Sequence, residues 1–274
     1  MEPMLALLFG LLIGSFLNVC IHRWPRGRSV IKPRSHCVRC RKPVAWYDNI
    51  PVVSYILLGG KCRHCRKGIS IRYPAVELLT GLTWFFLVWK FGVTLLAAKL
   101  CIFAAMLIAM AFTDLEKRIL PDQFTKGGTA IGLAFSTVVA VPDTTSQALL
   151  WFAGIDLQGR PQWIAESAIG AFLPAFFLWF GGWVFEKVRH REGLGFGDVK
   201  LIAMMGSFLG LQGALFTLIL GSISASLIGL GYIKATGQDA SEYQLPFGTF
   251  LCFAGLAAAM GMQGLFEAYA GSGL

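Results

Sequence analysis

A carboxylate stands at the junction between a glycine-rich loop and an apolar helix. Asp198 follows Gly195 and Gly197 in the tetrapeptide Gly-Phe-Gly-Asp, and an apolar run begins at the next residue. An acid at the entrance of a membrane helix is costly, so such acids mark functional sites. The two glycines allow a close backbone approach and predict a place where an extended substrate peptide can lie. A Gly-x-Gly-Asp tetrapeptide is weak support by itself, because glycine-rich loops are common.

A second carboxylate, Asp114, ends another apolar run and is predicted at the same membrane boundary as Asp198. Two carboxylates that share a proton form the catalytic unit of an aspartic protease. The ionised acid activates water, and the protonated acid polarises the scissile carbonyl. Lys200 and the dipole of the following helix favour an ionised Asp198, which is therefore predicted to be the base. The sequence contains neither a serine-hydrolase signature nor a zinc-protease signature.

Two further acids lie near predicted helix starts. Glu77 is one turn into an apolar helix that begins near Pro74, where the helix dipole favours a glutamate. This position favours a structural role for Glu77. A substrate-binding role stays open for both Glu77 and Lys200. Asp122 follows Pro121 and is predicted to cap a helix or to form a turn.

The long basic segment 21–73 contains two Cys-x-x-Cys pairs. Their members are Cys37, Cys40, Cys62 and Cys65. Two such pairs predict a tetrahedral structural zinc site, which supplies folding energy to a segment too small for a core of its own. Two disulfides or four free thiols are the alternatives, although a cytoplasmic location disfavours disulfides. His36 and His64 could replace a ligand, but surface positions explain them more simply.

The acids and the cysteines must be positioned by helices that span a membrane. Hydrophobic residues make up 55% of the 274-residue chain and charged residues 14%, whereas a soluble domain has about 25% charged residues. The apolar runs predict an all-α polytopic membrane protein with about eight transmembrane helices. They are 4–20, 74–91, 93–113, 127–142, 163–186, 199–211, 212–233 and 246–269. The sixth run is short and could merge with the seventh.

The basic residues predict the orientation of these helices. Of the 24 lysines and arginines, 13 lie in segment 21–73, and most others fall in loops predicted on the same side. With the N-terminus outside, these loops and both aspartates lie at the cytoplasmic boundary, and the polar segment 143–162 is an external loop. The predicted domains are a first helix over 1–20, a small cytoplasmic metal-binding loop domain over 21–73 and a membrane peptidase domain over 74–274. Because the charge is confined to loops, the pI near 9.4 does not indicate a nucleic-acid partner.

Linked motifs extend along nearly the whole chain. They are Gly14–Pro25, the four cysteines, Trp46–Pro51, Arg72–Thr80, Asp114 with Leu120–Asp122, Gly193–Lys200 and Pro246–Gly248. In this order they resemble the type IV prepilin peptidases, which are membrane aspartic proteases of the Gly-x-Gly-Asp type. The resemblance implies that Asp114 and Asp198 are the catalytic pair. Two positions depart from the family pattern: Thr249 stands where another proline is expected, and a proline is missing shortly after Asp122.

The resemblance implies a bifunctional enzyme of a bacterial inner membrane. Such enzymes cut prepilins and pseudopilins on the cytoplasmic side, after the glycine that ends a short basic leader. They then methylate the new N-terminal residue with S-adenosylmethionine. The implied partners are prepilin or pseudopilin substrates, and the implied methyl donor is S-adenosylmethionine. Membrane lipid as a partner and structural zinc as a cofactor are expected from the composition and from the four cysteines. The residues that bind the methyl donor cannot be identified from the sequence, because it contains no glycine-rich nucleotide-binding motif after a predicted strand.

Two other functions stay open. A peptidase without methyltransferase activity would use the cysteine-bearing loop only for folding or for docking the substrate. A proton-coupled transporter would place its acids in the middle of its spans, within internal repeats. The two aspartates lie at helix ends and no repeat is found, which disfavours a transporter. The basic surface of the loop would bind either anionic lipid or a partner at the inner membrane surface.

Overall fold

A computed structural model describes residues 1–141, 143–190, 195–236 and 245–271, with side chains described up to residue 261. Within these ranges the chain forms nine α-helices and no β-strand, which confirms the all-α prediction. The helices are α1 (Glu2–Arg23), α2 (Val53–Leu57), α3 (Arg72–Phe91), α4 (Leu95–Lys117), α5 (Asp122–Phe135), α6 (Thr144–Phe152), α7 (Arg160–Arg189), α8 (Phe196–Thr236) and α9 (Phe247–Gly271).

Four apolar segments of the described chain are long enough to cross a membrane, as judged by length and composition. They are Glu2–Arg26, Leu95–Lys117, Arg160–Arg189 and Phe196–Thr236. Helix α7 also exposes a stripe of large aromatic side chains, as expected of a surface that faces lipid. The stripe consists of Phe172, Phe176, Phe180 and Trp183. These features confirm a multi-pass membrane protein, while the count of eight spans stays a prediction.

The structure adds detail to two predicted elements. The segment 143–162, predicted as an external loop, contains the short helix α6. The sixth and seventh predicted runs lie within α8, which is broken at Gly210, where φ is 74° and ψ is −178°, close to the predicted boundary between residues 211 and 212. A left-handed φ excludes most side chains, which is why a glycine marks the break.

A buried aspartate contacts both α6 and the break in α8. The side chain of Asp143 caps α6 by accepting hydrogen bonds from Ser146 N at 3.2 Å and Ser146 Oγ at 2.6 Å. Its Oδ2 also accepts from Leu211 N at 2.5 Å, immediately after the break at Gly210. One carboxylate therefore caps both α6 and the helical segment that follows the break, although Asp143 and Leu211 are 68 residues apart in sequence.

The chain divides into two compact units, Met1–Thr113 and Asp114–Leu274. In the first unit α1 packs against α3 at small residues. A Cβ atom on Gly14 would lie 2.7 Å from Glu77 Cα, and one on Gly10 would lie 2.8 Å from Gly81 Cα. Glycines at these positions let the two helices approach closely, as is common between membrane helices.

In the second unit α8 packs against α7, α5 and α9. Its contact with α7 is closest where Gly206 faces Gly170, since a Cβ atom on Gly206 would lie only 1.8 Å from Gly170 O. On the side of α5, a Cβ atom on Gly132 would lie 2.2 Å from Ser207 Oγ. These small residues fix the position of the first half of α8, whose first turn carries Asp198.

Candidate functional site

The second unit brings the two predicted aspartates together. Asp114 lies in the last turn of α4 and is 6% exposed, and Asp198 lies in the first turn of α8 and is partly buried. The two carboxylates are close enough to interact electrostatically, and Cys252 on α9 lies within electrostatic range of both. The end of α4 and the start of α8 thus bring together two acids that are 84 positions apart in sequence, so that each lies within range of the other's charge.

A tight steric contact surrounds Asp114. A Cβ atom on Gly248, at the start of α9, would lie 3.2 Å from both the Cγ and the Oδ2 of Asp114 and 3.2 Å from Leu120 Cδ1. The same Leu120 methyl would lie 3.4 Å from a Cβ atom on Gly197. Leu120 therefore stands between the loop before Asp198 and the glycine that packs on Asp114.

Thr249 holds the Asp114 carboxylate from the neighbouring helix. Asp114 Oδ2 accepts a hydrogen bond from Thr249 N at 2.7 Å and another from Thr249 Oγ1 at 2.9 Å. Thr249 is 4% exposed, so both bonds are shielded from water. A proline at this position would supply neither donor.

The two glycines before Asp198 have no side chains, and this leaves space beside the Asp198 carboxylate. Neither Gly195 nor Gly197 has a positive φ, so a left-handed backbone is not the reason for them. A Cβ atom on Gly195 would lie 3.4 Å from Asp198 Oδ2, on an exposed part of the backbone. The surface beside this carboxylate is therefore open to another backbone.

Lys200 forms its ion pair with an acid other than Asp198. Its Nζ contacts Asp122 Oδ1, and Lys126 Nζ lies 2.7 Å from Asp122 Oδ2. Lys126 and Lys200 hold the pKa of Asp122 below its ordinary value. Asp122 is the first residue of α5, and the N-cap position before it is occupied by Pro121. The Asp122 side chain therefore does not cap the helix. The expected capping role of Asp122 is therefore replaced by a role in this ion-pair cluster.

In the first unit the two Cys-x-x-Cys pairs have matching backbone geometry. Cys37 O accepts from Arg41 N at 2.8 Å, and Cys37 N donates to Lys42 O at 2.9 Å. In the second pair both distances are 2.9 Å. The equivalent residues there are Cys62, Arg66 and Lys67. Arg41 and Arg66 have left-handed φ values of 58° and 56°, which turn each chain back on itself.

This geometry gathers the four thiols. The sulfur atoms of Cys37, Cys40, Cys62 and Cys65 all lie within 4.8 Å of one another, and the Cys37 and Cys65 Sγ atoms are 3.9 Å apart. A tetrahedral zinc site with Zn–S bonds of about 2.3 Å has S···S edges of about 3.8 Å. Backbone hydrogen bonds from Cys65 and His64 lower the pKa of Cys62 to about 7. All four are free cysteines, and the donor set suits zinc or a similar soft metal.

Glu77 has a structural partner in the same unit. It is 7% exposed, and its Oε2 accepts a hydrogen bond at 2.8 Å from the backbone N of Val52, whose φ is 62°. This bond ties the cysteine-bearing loop to α3. The contact supports the structural interpretation of Glu77.

Two residues with important contacts were not identified from the sequence: Thr249, which bonds Asp114, and Asp143, which caps α6 and contacts α8. Thr249 had one available signal, its departure from the proline expected in the family. Asp143 had the signal of an acid directly before Thr144, a helix-capping position, but its second helix is distant in sequence. In both cases the partner lies on another element, so local pattern could not identify it.

Fold and site define a class of protein: a multi-pass membrane protein with a paired-aspartate site in one unit and a four-cysteine site in the other. Comparisons place the chain within that class. The family model of the bacterial peptidase A24 N-terminal domain matches residues 8–91, and the family model of the type IV leader peptidase family matches residues 101–230. The chain belongs to the type IV leader peptidase family, as the sequence motifs predicted.

Similar curated proteins carry the name prepilin leader peptidase/N-methyltransferase. The one from Pseudomonas aeruginosa is 32% identical over 92% of this chain and 88% of its own length. The one from Aeromonas salmonicida is 34% identical over 93% of this chain and 89% of its own. The one from Myxococcus xanthus is 38% identical over 84% of this chain but only 62% of its own length. No solved structure matches the chain.

Proposed function

We propose that this protein removes the basic leader from prepilins or pseudopilins and methylates the new N-terminal residue. The observation that carries the peptidase half is that Asp114 and Asp198, at two helix ends, lie within range of each other's charge. Two carboxylates that interact in this way can divide the roles of base and acid in peptide hydrolysis. The family membership and the names of the relatives support both halves of the activity.

Within the pair, Asp114 is the proposed base. Hydrogen bonds donated to a carboxylate stabilise its charged form, and Asp114 accepts two of them from Thr249. Asp198 then carries the shared proton and polarises the scissile carbonyl. This reverses the prediction made from helix dipoles, because Lys200, which was expected to stabilise an ionised Asp198, is paired with Asp122.

The substrate is proposed to lie extended along Gly195 and Gly197. The absence of side chains there leaves room beside Asp198 Oδ2 for a peptide backbone. Lys200 and its partner Asp122 would then flank the substrate without contacting the scissile bond. Glu77 is proposed to act on the loop that it holds and not on the peptide.

The charge distribution supports an inner-membrane location with the N-terminus outside and both aspartates at the cytoplasmic boundary. Basic leaders also remain on the cytoplasmic side of a bacterial membrane for the same electrostatic reason. Membrane lipid is thus a proposed partner, and the basic segment 21–73 would lie near anionic head groups.

The four cysteines are proposed to hold a structural zinc ion. Cys37, Cys40, Cys62 and Cys65 would supply four thiolates, and their sulfur separations fit such a site. Zinc would cross-link two short turns that bury little apolar surface, and so stabilise the loop. The basic side chains in the same segment would offset the net negative charge of the centre.

S-adenosylmethionine is the proposed methyl donor. When bound, it would supply the methyl group for a C–N bond to the new N-terminal amine, with the C–S bond electrons left on sulfur and one amine proton released. The protein must therefore hold the donor and present the cleaved N-terminus to it.

The test uses purified protein in detergent with a prepilin substrate and tritium-labelled donor. Asp114→Asn and Asp198→Asn are each expected to lower leader removal at least about 100-fold, since each removes a proton-transfer group. The control is Asp156→Asn, an exposed acid between α6 and α7, which should cleave normally. Full cleavage by either dyad variant would contradict the aspartyl mechanism. Cleavage by the unmodified protein without methyl transfer would restrict the function to the peptidase.

A further inference from the structure

The first unit contains a cavity of about 460 Å³ between the cysteine-bearing loop and the helices α1 and α3. We infer that this cavity, with the unpaired amide oxygen of Asn18 in its wall, is the binding site for S-adenosylmethionine. The inference rests on the methyl transfer proposed above. Its volume lies within the range of about 300–1,000 Å³ that is typical of small-molecule sites.

Asn18 provides the clearest sign of a ligand-binding site. Its side chain is 1% exposed and lines the cavity. The Nδ2 group donates to Gly14 O at 3.3 Å and to Tyr73 O at 3.0 Å, so the orientation of the amide is fixed. Among the described residues Oδ1 has no hydrogen-bond partner. A buried acceptor without a donor is unfavourable, and a ligand N–H or ammonium group would satisfy it.

The buried wall of the cavity carries groups of both charge signs. Arg23 and Arg72 are 7% and 9% exposed, and Glu77 is 7% exposed. The methionyl end of the donor is a zwitterion with a carboxylate and an ammonium group. A guanidinium suits the carboxylate, and the Asn18 oxygen suits the ammonium group.

The other end of the donor is a planar adenosine, and the cavity offers it aromatic and polar contacts. Tyr55, Tyr73 and Asn49 lie in the lining. Tyrosine rings can pack against a purine, and amides can bond its edge. These contacts distinguish the cavity from a purely ionic site.

An anionic lipid head group is the main competing ligand. The rim of the cavity carries exposed basic side chains, which would attract it. They are Arg39, Lys42 and Lys67. The phosphate of such a lipid offers only acceptor oxygens, and its head-group hydroxyls supply neither an ammonium group for Asn18 Oδ1 nor a planar ring for the tyrosines. The buried part of the cavity therefore favours the methyl donor.

The test measures binding directly, by isothermal titration of S-adenosylhomocysteine into the purified full-length protein in detergent. Val19→Phe fills the cavity wall without removing a hydrogen bond, and Asn18→Leu removes the unpaired oxygen. Each is expected to weaken binding about tenfold or more, the loss expected for one buried hydrogen bond or for a sterically blocked site. Leu12→Phe adds similar bulk on the exposed face of α1, outside the cavity lining, and should bind like the unmodified protein.

Thermal unfolding of each variant shows whether the first unit still folds, and Val19→Phe keeps the test valid if Asn18→Leu does not. Unchanged affinity in a folded Val19→Phe protein would overturn the inference. So would a loss of co-purified phosphatidylglycerol in that variant without any loss of S-adenosylhomocysteine affinity, which would assign the cavity to lipid. If the unmodified protein cleaves and methylates while Val19→Phe binds normally, only this inference fails. If the unmodified protein does neither, the proposed function fails.

Discussion

Replacing Thr249 by valine removes one of two donors from the Asp114 carboxylate and keeps the shape of the side chain. The Oγ1 bond of 2.9 Å is lost, while the backbone N–H bond of 2.7 Å is retained. A hydrogen bond to a charged group contributes about 1.5–3 kcal/mol, which corresponds to about 10- to 150-fold in rate. Because the backbone donor still holds the same oxygen, we expect the lower end, about tenfold, in kcat/KM for leader cleavage.

The assay follows cleavage of a purified prepilin by Thr249→Val and by Thr249→Ser, which restores a hydroxyl group. The serine variant should recover most of the activity, because it returns the donor to Asp114 Oδ2. Thr137→Val is the control, since its exposed hydroxyl, in the turn after α5, donates to Ala134 O and lies in neither site. Equal activity of Thr249→Val and the unmodified protein would refute the reasoning. A loss in both Thr249 variants would indicate a packing effect instead of a lost donor.

Two further predictions concern stability. Cys37→Ser is expected to lower the bound zinc from one ion per chain and to reduce the unfolding temperature, whereas His36→Ala and His64→Ala should leave the zinc content unchanged. Atomic absorption measures the zinc content, and thermal unfolding measures the stability. An unchanged zinc content in Cys37→Ser would reject the four-cysteine site. Asp143→Ala should lower the free energy of unfolding by about 2–4 kcal/mol, because it removes the cap of α6 and leaves the buried backbone N–H of Leu211 without its acceptor. Asp156→Ala, at an exposed position, is the control, and equal stability of both variants would contradict the capping role.

The helical architecture could be predicted because a lipid bilayer imposes it locally. A run such as 93–113 must pair its own backbone groups in hydrocarbon, and a helix satisfies this requirement within the run. The short helix α6 lacked that signal, since it is only nine residues long. Its start depends on Asp143, whose carboxylate also bonds to α8. Local polarity therefore suggested a loop where tertiary contacts stabilise a helix.

The charge partners of the site could be predicted less well. Lys200 is two residues from Asp198 in sequence, which suggested that its charge acts there. The structure pairs it with Asp122 instead, 78 positions away. Side chains on successive residues of a helix point in different directions, so proximity in sequence does not determine which acid a lysine reaches.

The sequence by itself determined which chemical groups are available: two aspartates at helix ends, two Cys-x-x-Cys pairs and enough apolar runs to cross a membrane. These are properties of residue type and spacing, and solvation energy acts on them locally. Only the tertiary structure decided that Thr249 donates to Asp114 across 135 positions and that Gly206 brings α8 against α7. Such contacts depend on how whole helices pack, and small differences in many packing contacts determine that arrangement. The two aspartates of the proposed catalytic pair can therefore be identified from the sequence, but the contacts that hold them in place arise from the fold.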